Sequence, residues 1–200
     1  MSTRNTMLRS LHDVGLAAWF GGSLMGAVGL NGAARDEGGT WATTARIASS
    51  GWAKWTPVNA AAIATHLFGS GGLLAANAPR VAAQQGVAAS TLAKTVLTGA
   101  ALAATAYSRV LGKKIELAAS SDPQDAEKAA KHPIDTDKAQ RHLAYMQWAV
   151  PALTGGLLVL NALHGEQQRP AEQAHGVWQR ARSLAPNMNM PSVPDWHLTH

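Results

Sequence analysis

The sequence predicts an all-α protein built as a bundle of four transmembrane helices, followed by a polar C-terminal tail. Three observations lead there. Charged residues make up 14% of the chain, below the roughly 25% usual in soluble domains. They are also unevenly placed, for no Asp, Glu, Lys or Arg lies between Asp13 and Arg35, between Lys54 and Arg80, or between Arg141 and Glu166. Each gap can cross a bilayer core of about 30 Å, which takes roughly 20 helical residues. The third observation is the abundance of Gly, Ala and Ser inside these gaps. Such residues let membrane helices pack closely, and no water competes there for their backbone hydrogen bonds.

The first span, 11–34, is longer than the apolar core of a signal peptide and is read as a membrane helix. Its Gly22 and Gly26 form a GxxxG pair that lets a neighbouring helix approach. Residues 35–54 are polar and read as a loop, with Trp41, Trp52 and Trp55 suited to the headgroup level. The second span, 56–78, opens with Thr56 as N-cap and Pro57 at the first helical position, and it stops at Pro79. Asn59, His66, Ser70 and the glycines Gly69 and Gly72 make it the least lipid-like span, so it is expected to face other helices.

Two readings stand for the third segment, 88–111, because Lys94 and Arg109 lie inside it. It is a span whose basic side chains snorkel to the interface, or an amphipathic helix on the membrane surface. Residues 113–141 carry acids and bases together and form a solvated loop, with a short helix over Pro123–Lys131. The fourth span, 142–164, contains Pro151, which should kink it. The transmembrane domain therefore covers 1–165 and the tail 166–200. In the tail, Trp178, Arg180 and Arg182 suit an anionic surface, while Met188, Met190 and Trp196 could anchor the chain on a protein partner.

The formal charge of +5 is spread over loops and flanks without a basic run, which excludes nucleic acid and points to lipid as the partner. The positive-inside rule places the first and third loops in the cytoplasm by a small margin. There is no cysteine, so thiolate zinc sites, disulfides and cysteine nucleophiles are excluded. No carboxylate lies deep in a span, and no nucleophile elbow or phosphate-binding glycine motif is present, so no catalytic residue is assigned.

Histidine supplies the cofactor candidates. His66 and Met25 are expected at similar depth, where a pair on facing helices could ligate the iron of haem b. The competing reading is a neutral His66 hydrogen-bonded to a neighbouring helix. His12 and His164 are both expected near the terminal side and could bind a metal together with Asp13 or Glu166. Asn31 and Asn59 are expected at the level of the first loop, where amide hydrogen bonds between helices fix packing.

Leu11, His12, Trp19, Gly21 and Gly22, in the run LHDVGLAAWFGG, resemble the opening of the copper-resistance D family and of similar small four-helix bacterial membrane proteins. The resemblance implies a polytopic plasma-membrane protein linked to copper or haem handling, with His12 as the matched histidine. The chain departs from that pattern in lacking methionine clusters and cysteines. The expectation that follows is a non-enzymatic, multi-pass protein of the cell membrane, serving as an accessory or scaffold subunit of a larger complex. A haem- or metal-binding protein and a small-molecule transporter are the alternatives.

Overall fold

The computed structural model describes residues 5–83 and 85–166, all in helices and short turns, with no strand among them. Thr6–Met25 forms α1, Gly26–Leu30 makes a π turn, and Asn31–Gly38 forms α2 as the continuation of the same rod. Trp41–Ala83 is α3, Gln85–Ala119 is α4, Pro123–Lys131 is α5 and Thr136–Glu166 is α6. Four stretches, Thr6–Gly38, Trp41–Pro79, Val87–Ala119 and Thr136–Leu163, are long and apolar enough to cross a membrane. The molecule is a multi-pass membrane protein.

Each long helix packs on the next, and α6 returns to α1, which gives a closed ring of four neighbours. The turn between α2 and α3 shows how little chain a reversal takes. Gly39 adopts φ +65°, a conformation that costs glycine nothing, and the Thr40 amide donates to the Gly38 carbonyl at 2.7 Å. The Thr40 hydroxyl then accepts from the Thr43 amide at 3.3 Å and caps α3.

That turn corrects the expected loop over 35–54. Only Gly39 and Thr40 leave the helix, and α3 begins at Trp41. The polar character of 41–54 marks a helix extending beyond the hydrocarbon, where charged side chains meet water. At 43 residues, α3 spans about 65 Å at 1.5 Å per residue, about twice the hydrocarbon thickness. Pro57 and Pro79 consequently lie inside α3 rather than at its ends. The third segment, too, is a long apolar helix packed between α3 and α6, which favours the span over the surface helix. The short helix α5 stands as read, capped by the Asp122 carboxylate, which accepts from the Gln124 amide at 2.8 Å.

The core is small-on-large. Leu16 and Trp19 of α1 meet Ala62 of α3, Ala101 and Ala104 of α4, and Val150 and Leu157 of α6. Trp19 is fully buried and donates from Nε1 to the Thr105 hydroxyl at 3.3 Å. Larger apolar side chains face outward: Val14, Phe68, Leu92, Val96 and Val159 are each more than half exposed. Such a surface would aggregate in water, but in lipid it is a hydrocarbon-matched belt.

Candidate functional site

Glycines set how closely α1 and α3 approach. A Cβ on Gly15 would fall on the Ala62 carbonyl and the His66 amide, and one on Gly69 on the backbone of His12 and Leu8. Gly72 takes the Leu8 side chain. This register brings His66 beside His12, with ring centroids 4.5 Å apart. His66 is 1% exposed, and its Nδ1 lies 3.1 Å from the His12 carbonyl. A carbonyl only accepts, so Nδ1 carries the proton and ties α3 to the backbone of α1.

The same register separates His66 from Met25. Met25 is ten residues beyond Gly15, about 15 Å along the helix at 1.5 Å per residue, and its side chain is 66% exposed on the outer surface. The pair expected for a haem iron is not formed. The depths differ because α3 begins at Trp41: His66 lies 25 residues from that end of α3, whereas Met25 lies 13 residues from Gly38 at the same end of its own rod. For the metal pair, His12 Nδ1 bonds the Asp13 carboxylate at 2.8 Å, whereas the side chain of His164 lies outside the described residues. Among the described residues no three His, Asp or Glu side chains converge on one point.

Gly22 and Gly26 receive side chains rather than a backbone. The Trp55 ring lies over Gly22 and the Trp52 ring over Gly26. These two tryptophans therefore turn into the bundle, while Trp41, at 50% exposure, is left on the surface at the start of α3. Trp52 Nε1 donates to Asn31 Oδ1 at 2.9 Å, and Asn31 Nδ2 donates to Gln147 Oε1 at 2.8 Å. One amide thus links α2, α3 and α6. Asn59 does not join it, and its Oδ1 is buried without a partner.

Next to this linkage lies an open cavity of about 300 Å³ between α3, α4 and α6, with Ser23 of α1 in its wall. Its apolar part is Ile63, Leu102, Leu143 and Val150; its polar part includes Trp55, Asn59, Thr105, Ser108 and Gln147, with Arg109 and Gly112 beside them. Trp55 Nε1, Asn59 Oδ1 and Ser108 Oγ are all buried with no hydrogen-bond partner. Such atoms cost roughly 1–3 kcal/mol each when left unmade, and all three belong to residues that wall the cavity. The cavity exists because Trp52 and Trp55 lean toward the glycines of α1, while Ala60, Ala106 and Gly112 are too small to fill the gap. Pro57 and Pro151 interrupt the hydrogen-bond ladders of α3 and α6 beside the cavity walls.

Sequence reading missed this site. A signal was present: Trp52, Trp55, Thr56, Asn59 and Ile63 recur at helical spacing, as do Thr105, Ser108, Arg109 and Gly112. Each set marks one helix face, but no pattern on a single helix says that two such faces oppose each other across a gap. Residues 167–200, where the partner-docking tail was expected, lie outside the described residues. Neither a protein-family model, a curated protein nor a solved structure matches this chain.

Proposed function

We propose that this is a non-enzymatic protein of the cell membrane that binds a small molecule in the cavity between α3, α4 and α6, in the manner of a carrier or a ligand-holding accessory subunit. The observation behind this reading is a space of about 300 Å³ inside the bundle, the lower end of the volumes that ligand pockets occupy, walled by Trp55, Asn59 and Ser108, each of which carries a buried polar atom without a partner. A purely structural bundle would gain by filling that space with a methyl or a leucine, since empty volume and orphaned polar atoms both cost stability. Native mass spectrometry of protein extracted from membranes in mild detergent tests it. A bound small molecule is expected on the unaltered protein and not on Gly112→Leu, a substitution whose Cβ meets nothing within 4 Å. A bare protein in both cases, with only water filling the cavity, would end this reading.

The accessory role and a protein partner belong to the same proposal at residues 166–200, on the strength of the Trp178, Arg180 and Arg182 pattern and the three apolar side chains beyond it. Truncation after Glu166 is expected to leave the bundle inserted and to remove the co-purifying partner. As for the resemblance to copper-resistance D-like proteins, we carry it at the level of a four-helix membrane fold. The residues that bear it are used in packing: His12 against His66, Trp19 in the core and Gly22 under Trp55.

A further inference from the structure

Ile63, Leu102 and Val150 line the part of the cavity next to the core, while Ser108, Arg109 and Gly112 of α4, together with Leu143 of α6, stand toward the third loop. Arg109 is the one charged side chain among the cavity residues, and no acid accompanies it there. It also forms no ion pair with any described residue. Two of the three unpartnered atoms, the Trp55 indole N–H and the Ser108 hydroxyl, can donate a hydrogen bond.

We propose that the cavity takes an amphiphile with a carboxylate head, drawn from the membrane, with the head at Arg109 and the hydrocarbon toward Ile63 and Leu102. This rests on the cavity being a binding site, as proposed above. A guanidinium is built for a carboxylate, which it can grip with two parallel hydrogen bonds. An uncompensated charge beside lipid is stabilised by an anion far more than by a neutral head. The ligand's apolar body suits the inner wall and lets it arrive by way of the bilayer. The volume of about 300 Å³ selects a medium-length chain over a two-chain lipid.

Trp52 and Trp55 at the cavity make binding visible as fluorescence quenching by decanoate brominated on its terminal carbon. Titration of the detergent-purified full chain with this probe is expected to give saturable quenching, about tenfold weaker in affinity for Arg109→Gln and restored in part in Arg109→Lys, which keeps the charge but not the two-bond grip. The correspondingly brominated decanol is expected to bind about tenfold more weakly than the acid. Acetate is expected not to compete. Equal affinity for acid and alcohol, with Arg109→Gln unchanged, would mean that Arg109 only reaches for the interface; the carboxylate assignment would then fall while the cavity reading stood. Competition by acetate at equal concentration would overturn the amphiphile. Quenching by neither probe beyond that of Gly112→Leu would remove both.

Discussion

At the scale of single residues, glycines divide into those that hold two helices together and those that do nothing of the kind. Gly15 lies against backbone atoms of Ala62 and His66, which cannot swing aside, whereas nothing stands within 4 Å of a Cβ on Gly21. Overpacking costs about 1–3 kcal/mol, and replacing a helical glycine with alanine returns up to about 1 kcal/mol of helix propensity. Gly15→Ala is therefore expected to lower the melting temperature in detergent, and Gly21→Ala to leave it unchanged or raise it. Equal melting of the two variants would contradict the close approach of α1 and α3. Asn31 offers a second residue-level test. Asn31→Leu keeps the volume but leaves Trp52 Nε1 and Gln147 Oε1 without partners. Membrane hydrogen bonds average about 0.6 kcal/mol each, so a loss of about 1 kcal/mol is expected by chemical or thermal melting. The identity of such residues was legible in the sequence, and Gly22, Gly26 and Asn31 were named from it. Their contacts were not, because a glycine's neighbour depends on register between helices.

At the scale of elements, the α1–α3 pair is held by complementary surfaces, with the Trp55 ring filling the surface of Gly22 and the Trp52 ring that of Gly26. Gly22→Leu and Gly26→Leu must move a rigid indole, and each is expected to cost about 1–3 kcal/mol and to change the emission of Trp52 and Trp55. Unchanged melting and emission would show that this face does not meet α3. The short helix α5 is governed instead by electrostatics. Ser120 donates to the Asp125 carboxylate at 2.9 Å and Lys128 at 3.3 Å, and these bonds hold its pKa below the ordinary 3.8. A depressed carboxyl adds stability in full above its unfolded value and loses it as pH falls through the folded one. Protection of α5 amides from exchange, relative to the intrinsic rate at each pH, is thus expected to fall below pH 3.8, and Asp125→Asn to weaken that dependence, the Asp122 cap carrying the remainder. The effect is small because the group lies at the surface, in contact with water and screened by salt.

At the scale of the whole molecule, four membrane-crossing helices place the Gly39–Thr40 turn and the 120–122 connection on one side, and the start of α1 on the other. The chain has no cysteine, so single cysteines at Asn5, Thr40 and Ser121 report topology without background. Membrane-impermeant maleimide is expected to label Thr40→Cys and Ser121→Cys from one face and Asn5→Cys from the opposite face. Labelling of all three from one side would rule out four crossings. The ring of neighbours also brings α1 against α6, where the Phe20 ring lies within 3.2 Å of a Cβ on Gly155.

The sequence by itself determined the solvent and three of the crossings, because hydrophobic length is a property of each segment alone; the third segment, with Lys94 and Arg109 inside it, was settled as a span by its packing between α3 and α6. Charge-free gaps, the capped helix at Pro123–Lys131 and the small-residue faces could all be read that way. It could not determine where helices end in the interface, since polar residues occur both in loops and in helices that extend into water. For that reason the segment after Gly39 was read as loop and His66 was placed too near Met25. Only the tertiary structure decided that Trp52 and Trp55 turn inward, that His66 meets His12, and that Trp55, Asn59 and Ser108 wall one cavity. Each of those depends on the rotation and register of one helix against another, which close packing fixes and no single helix encodes.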